Sequence, residues 1–392
     1  MKVETTRQEK KGMVRKMKDL LELRDEIDKI DQQIVSLYEE RMKISEQVAS
    51  YKISTGKKVF DKERENQKLS MLTALADSSF TRHGIRELFE QIMAMSRKKQ
   101  YQLLTEHGII DKPDFVEIEK LNYADARIVF QGVEGAYSQV ALKEYFGEHT
   151  NSYHVETWRD AMEAIKNGEA DYAVLPIENS SAGIVPENYD LLVEYDNCIV
   201  GEQIIKIDHA LLGVKGAKLS DIDTVYSHPQ ALMQCSKYLE EHREWDKKSL
   251  KNTAASAQKI QQDGRKNQAA IANIKTADIY GLEVLDEAIQ NNQDNSTRFI
   301  IVTGKKIYEK NAGKISICFE VPHESGSLYH MLSHFIYNDL NMNKIESRPV
   351  EGQAWEYRFF VDFDGNLKDG AVQNALSGLK EEANHVKILG NY

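Results

Sequence analysis

From Leu20 to about Tyr51 the apolar residues recur in steps of three and four, at Leu23, Ile27, Ile30, Ile34, Leu37, Ile44, Val48 and Tyr51. That is the period of one helical face. No proline or glycine interrupts residues 14 to 55, so the pattern predicts a single helix of about 32 residues, roughly 48 Å long. Such a helix is too long to cover its stripe in a small globule. Two partner helices are expected after it, one from near Asp61 to about Asp77 and one from about Thr81 to Leu104 that turns Ile85, Leu88, Phe89, Ile92 and Met93 to one side. A three-helix unit with one long arm buries its stripe most simply against a second copy.

Clean periodicity is lost over residues 105–126, which contain Pro113 and are expected to be a linker. Beyond it, short apolar runs alternate with helical segments: 127 to 132, a helix from about Ser138, a helix from Trp158 to Asn167, then 171 to 180, with further runs at 199–205, 224–226, 269–272 and 299–302. Strand followed by helix, repeated, predicts an α/β domain over 127–304. Residues 313–392 read strand, helix, strand, strand, helix, strand, the ferredoxin-like α+β order. The chain is therefore multidomain: a lead-in over 1–18, an all-α unit over 19–104, the linker, the α/β domain and the α+β domain.

Composition removes several functions. Across 392 residues, 62 Asp and Glu against 51 Lys and Arg leave a net charge of -11, so no basic field is present to hold a nucleic acid. The cysteines, Cys198, Cys235 and Cys318, are widely spaced and odd in number, which suggests neither a disulfide framework nor a thiolate metal site. No apolar run reaches the ~18 to 20 residues of a membrane span, and no signal-peptide core is present. A soluble cytoplasmic protein is expected, with no nucleic-acid or membrane partner and no cofactor or metal.

Polar residues interrupt the oily stripes. Arg41 stands where the long helix calls for an aliphatic residue, and Lys52, eleven positions on, returns to within about 20° of it. Arg24 lies about 100° around the helix from Arg41, so one helix does not easily deliver both. The second helix opens with Asp61, Arg64 and Glu65, and the third carries Ser96 and Gln100 one turn apart on its stripe. Either Arg41 pairs with Glu65 or Asp61 while Ser96 and Gln100 lie in water, or these groups together enclose an anionic guest.

In the middle domain Gly132, Gly135 and Ser138 precede a helix, Glu178, Asn179, Ser180 and Ser181 end a buried strand, Ser227, His228, Gln230 and Gln234 cluster, and Thr297 with Arg298 opens another strand. Strand ends of this kind are where open α/β folds place ligands. Ser227 and Gln234 are favoured over His228, which adjoins Pro229 and reads equally as a turn residue. Near the end, Gly326 to Tyr329 (GSLY) and Glu346 to Pro349 (ESRP) mark a helix start and a strand end.

Residues 19 to 104 resemble the all-helical chorismate mutases, through LxLRxxIDxID at Leu21 to Asp31, the Arg41 and Lys52 pair, DxxRE at Asp61 to Glu65, and Ser96 with Gln100. Residues 127 to 303 are similar to prephenate dehydratases, with TRF at Thr297 to Phe299 the most telling match. Residues 314 to 392 resemble the regulatory ACT domain attached to those dehydratases, with Ser327 replacing the usual alanine. The resemblance implies an intertwined dimer of helical units in which Arg24 crosses to the partner site, a two-lobed dehydratase like a periplasmic binding protein, and a ferredoxin-like sensor. It implies rearrangement of chorismate to prephenate, with Arg24, Arg41 and Arg64 on carboxylates, Lys52 and Gln100 on the ether oxygen, Glu65 on the ring hydroxyl, and Asp61 and Ser96 positioning. It implies dehydration of prephenate to phenylpyruvate, with Thr297 as donor to the leaving hydroxyl, Asn179, Ser227 and Gln234 fixing the substrate, and Glu178 nearby. Feedback by L-phenylalanine at Gly326, Ser327, Leu328, Tyr329, Glu346, Ser347, Arg348 and Pro349, in a homodimer or homotetramer, follows likewise. A dehydratase with a degenerate helical dimeriser, and a non-catalytic amino-acid sensor, are the alternatives.

Overall fold

The computed structural model describes residues 19–109, 113–353 and 355–392; the expected lead-in over 1–18 lies outside them. The chain divides into two compact units, Met1–Ile110 and Asp111–Tyr392.

The first unit holds α1 (Leu20–Thr55), α2 (Lys62–Thr73) and α3 (Ser79–Glu106). Gly56, in the left-handed region, ends α1, the Asp61 carboxylate accepts from the Arg64 amide to cap α2, and Ser78 caps α3 in a reciprocal box with Thr81. The buried positions of α1 are Ser45 and Ala49, each one residue past the expected core positions 44 and 48. The expected stripe itself is exposed, with Ile27 at 56%, Ile34 at 51% and Leu37 at 65%. Helix α3 packs on α1 and on α2, the three enclosing the Arg41 to Lys52 side, and among the described residues the oily face of α1 stays exposed.

In the second unit β1 (Val116–Ile118) lies inside the expected linker. A first lobe follows, of β2 (Ile128–Gln131), α4 (Tyr137–Phe146), β3 (Ser152–Val155), α5 (Trp158–Lys166), β4 (Tyr172–Asn179), β5 (Gly183–Ile184), α6 (Pro186–Glu194) and β6 (Cys198–Lys206). The chain then crosses to a second lobe, with β7 (His209–Gly213), β8 (Thr224–Ser227), α7 (Pro229–Gln234), α8 (Ser236–Glu241), β9 (Asp246–Ser249), α9 (Thr253–Asp263), β10 (Gln268–Asn273), α10 (Lys275–Tyr280) and β11 (Glu283–Asp286). It returns through β12 (Ser296–Thr303), and β13 (Ile307–Glu309) pairs with β1. The last part is β14 (Lys314–Glu320), α11 (Ser327–Ile336), β15 (Met342–Pro349), β16 (Tyr357–Asp364), α12 (Gly370–Glu382) and β17 (His385–Asn391).

The second lobe is a sheet of order β11-β7-β10-β8-β9, and the first lobe is β6-β12-β4-β2-β3. The chain crosses between these sheets at 207–208 and again at 287–295, so two connecting segments join the lobes that border the cleft. The terminal strands run β15-β16-β14-β17, the ferredoxin-like order expected. Strand β17 pairs with β6 in parallel through Gly390 and Ile199, making one continuous sheet. Cys318, Phe360 and Leu389 bury against Tyr189 and Ile199 along the same seam.

A Cβ on Gly390 would lie 2.1 Å from the Ile199 carbonyl oxygen. Gly390→Ala is expected to cost about 1 to 3 kcal/mol of stability, measured as a lower Tm for the second unit; an unchanged Tm would mean that the joint parts without cost.

Candidate active sites

In the helical unit, Arg41, Lys52, Asp61, Arg64, Glu65, Ser96 and Gln100 all line one pocket of about 260 Å³. Seven of the eight residues expected there are thus gathered. Arg24 is the exception and is exposed near the start of α1, as the 100° rotation requires. Ser96 and Gln100 are each only 6% exposed, which removes the reading that placed them in water. Arg41 donates to the Ser96 hydroxyl and, at 3.3 Å, to the Ile92 carbonyl. The Ser96 hydroxyl passes its own proton to the Ile92 carbonyl at 3.0 Å and accepts from Ser45 at 3.1 Å. Lys52 Nζ donates to the Val59 carbonyl at 2.6 Å. Burial lowers the Arg41 pKa, against the opposing pull of Glu65, yet a guanidinium keeps its charge.

Of the two alternatives, the pairing of Arg41 with a carboxylate is not seen among the described residues: Glu65 pairs with Arg97, Oε2 to Nη1 at 2.5 Å, and Arg97 also stacks on Phe60 at 5.0 Å. Arg97 escaped the sequence reading although Met93, Arg97 and Tyr101 form an i, i+4 stripe that would have revealed it. Arg41 therefore keeps its charge in the pocket without a carboxylate bound to it. Gln100 donates through Nε2 to the Ser96 carbonyl at 3.2 Å while its buried Oε1 has no partner, an arrangement suited to a guest with polar groups of its own.

The second site is a cleft of about 650 Å³ between the two lobes, lined by Asn179, Gln234, Thr297, His209, His228, Trp158 and Lys251 among others. Asn179 and Thr297 face each other across β4 and β12. The Asn179 amide is fixed without ambiguity, because its oxygen accepts from two backbone donors, Ser181 N at 3.0 Å and Ala182 N at 2.9 Å. Its Nδ2 must then donate, and does so to Thr297 Oγ1 at 2.9 Å and to Asn295 Oδ1 at 2.9 Å. Thr297 Oγ1 thereby accepts from the protein, and as a cleft-lining residue it keeps a hydroxyl proton that can rotate toward a guest.

The same logic runs outward. Gln234 turns its Nε2 to Asn179 Oδ1 at 3.4 Å, so its Oε1 faces His209 Nε2 at 3.0 Å. His209 is then the Nε2–H tautomer, with Nδ1 3.2 Å from the Tyr137 hydroxyl. His209, 2% exposed, was not foreseen, because the apolar run it begins at 209–213 is not among those read from the sequence. Burial lowers the pKa of both His209 and His228, the former against weaker opposition from Gln234 and Asp208. His228 lines the cleft and caps α7.

Two expected residues fall elsewhere. Ser227 is wholly buried and donates to the Ile271 carbonyl at 2.6 Å, a structural link behind the cleft wall. Glu178 alternates with Asn179 on its strand and so points to the opposite face, where Lys344 Nζ lies 2.7 Å away and Arg298 Nε 3.8 Å away.

In the terminal domain Gly326, Ser327, Leu328 and Tyr329 line a pocket of about 450 Å³ with Trp355 and Phe359. Gly326 has φ +83° at the start of α11, a conformation that suits glycine. Glu346, Ser347, Arg348 and Pro349 do not line that pocket; Arg348 instead grips Asp190 of α6. The three cysteines are free and buried, and burial pushes the Cys235 thiol up to about 12.

Residues 23–101 match the family model for chorismate mutase type II, and residues 128–307 that for prephenate dehydratase. A bifunctional chorismate mutase/prephenate dehydratase of Escherichia coli K12 is 34% identical over 380 residues, 95% of this chain and 96% of that protein. The structure of prephenate dehydratase from Arthrobacter aurescens in complex with L-Phe is 32% identical with a TM-score of 0.63, covering 68% of this chain and 89% of that one. GqqA, described as a novel type of quorum quenching acylase, is 30% identical with a TM-score of 0.63, covering 68% and 97%.

A histidine whose pKa is lowered in the fold binds its proton more readily when unfolded, so stability is full above the ordinary value of about 6.5 and declines as pH falls through the lowered one. Thermal unfolding of the second unit is expected to show that decline, and His209→Asn to flatten it. Equal slopes in the two proteins would exclude this imidazole as the group responsible.

Proposed function

The chain belongs to the bifunctional chorismate mutase/prephenate dehydratase family, which converts chorismate to prephenate and prephenate to phenylpyruvate, and from that premise we propose how its residues divide the work. Residues 19–104 perform the rearrangement, 127–304 the dehydration, and 313–392 sense the end product, with 105–126 between the first two. The observation that carries the dehydratase assignment is the anchored Asn179 amide, which leaves Thr297 a proton to offer into the cleft.

The rearrangement needs no nucleophile, proton donor or metal. It needs the dianion folded into reactive shape and negative charge on the ether oxygen stabilised as the bond breaks. Arg41 and Arg64 hold the carboxylates and Lys52 and Gln100 donate to the ether oxygen. Glu65 accepts from the ring hydroxyl, with Asp61 and Ser96 fixing the geometry. Arg24 comes from a second copy, which also covers the exposed α1 stripe, so the helical unit works as a dimer.

Prephenate carries two carboxylates, and Lys251 is the one lysine or arginine among the residues lining the cleft. One carboxylate is neutralised. The ring carboxylate, left against apolar wall such as Pro176, Ile184 and Phe299, is not over-stabilised and departs as carbon dioxide. Thr297 donates a hydrogen bond to the departing hydroxyl, with water supplying the proton, since burial disfavours the charged form of both cleft histidines. Thr297 has an amide donor, not a base, as its neighbour, which favours this role over that of an acyl-transfer nucleophile.

L-phenylalanine is the proposed effector, as in the name of the Arthrobacter structure, held by Gly326 to Tyr329 of one domain and by Glu346 to Pro349 of a second copy. Among the described residues no helix is long and apolar enough to cross a membrane, and a cytoplasmic location suits the three free thiols.

Purified protein is expected to consume chorismate and accumulate phenylpyruvate. Arg41→Ala should lower the rearrangement rate roughly 10² to 10³-fold and spare dehydration, with Thr297→Ala doing the reverse; equal loss of both activities in a folded variant would break the assignment. Ile34→Glu should lower the oligomeric state by sedimentation and abolish the rearrangement while dehydration persists; full rearrangement activity in the dissociated protein would refute the shared site.

A further inference from the structure

Behind the catalytic pair lies a second pair. Glu178 and Arg298 are cross-strand neighbours immediately beside Asn179 and Thr297, and a register shift follows at Arg298 and Phe299. On the terminal domain, Lys344 and Asp362 are cross-strand neighbours of opposite sign. The two pairs meet face to face: Lys344 Nζ is 2.7 Å from Glu178 Oε2, and Asp362 Oδ2 is 2.8 Å from Arg298 Nη1. Glu202 joins them, 3.3 Å from Arg298 and paired with Lys314. Three cations thus balance three carboxylates in a cluster where the Arg298 and Lys344 side chains are each 15% exposed.

A packed apolar joint would be about as stable as such a cluster. What charges add is dependence on exact registration, since a small slide leaves a buried charge unpaired. Strand β15 controls that registration. One of its faces carries Lys344 on Glu178 and Arg348 on Asp190, and the other carries the exposed Asn343, Ile345, Ser347 and Pro349. A stiff strand cannot shift on one face without the other.

We propose that Lys344 is a positioning residue for dehydration, holding Glu178 and through it the Asn179 and Thr297 pair, and that L-phenylalanine inhibits by shifting β15 and loosening this grip. The inhibition half rests on the effector reading given above; the positioning half does not.

The test uses the full chain. In Lys344→Met, dehydratase kcat is expected to fall roughly tenfold with KM within about twofold, and L-phenylalanine to bind by calorimetry while inhibiting little further. Lys344→Arg should restore both properties, and the rearrangement rate, unchanged throughout, reports folding. Glu178→Gln should produce the same loss, and the double variant should add nothing to it. Unchanged kcat and inhibition in Lys344→Met, or additive losses in the double variant, would overturn the proposal. A lowered kcat with full inhibition would overturn the coupling. Failure of the unaltered protein to bind L-phenylalanine would instead defeat the effector reading, leaving the kcat and rescue data to judge positioning.

Discussion

Successive residues of a strand point to opposite faces, and the dehydratase half of this enzyme depends on that alternation at two adjacent registers. Thr297 and Asn179 face the cleft; Arg298 and Glu178 face the terminal domain. The cleft and the interdomain contact thus lie on two sides of the same short stretch of sheet. The backbone amides of Ser181 and Ala182 then remove the one freedom left, the flip of the Asn179 amide. Each hydrogen bond is individually modest, about 0.5 to 1.5 kcal/mol net, yet together they fix Asn179 Nδ2 as a donor to Thr297 Oγ1.

The helical unit meets a different constraint. A charged side chain on a buried face needs a partner, because removing it from water uncompensated is costly. Arg97 meets this need with Glu65, and Arg41 with neutral oxygens. The distinction separates a buried arginine from a half-buried one: Arg97 is matched by a carboxylate inside the fold, while Arg41 has only dipoles, which suits a residue awaiting an anion.

Much of this was legible in the chain. The long helix, both partner helices and the whole order of the terminal domain followed from period and punctuation. Of the seven pocket residues, Arg41, Ser96 and Gln100 followed because they break an apolar stripe, Lys52 from its spacing to Arg41, and Asp61, Arg64 and Glu65 from the opening of the second helix. What stayed hidden depended on side-chain direction across long separations. Glu178 was grouped with Asn179 because they are adjacent, whereas a strand separates adjacent residues by a sheet's thickness. Ser227 shares its stretch with Gln234, but its hydroxyl is spent on Ile271, 44 positions away. His209 enters the site only through strands whose pairing no local pattern shows. The positions of α1 that bury within its own unit, Ser45 and Ala49, lie one residue past the apolar stripe, which was expected to bury against a second copy.

That uncovered stripe has a further consequence. On the reading proposed above, the cleft works with groups from one polypeptide, whereas the helical pocket takes Arg24 from a neighbour. The two reactions of one chain therefore obey different laws of mass action: on dilution the first step of the pair would fade with the square of chain concentration, while the second continues in proportion to it.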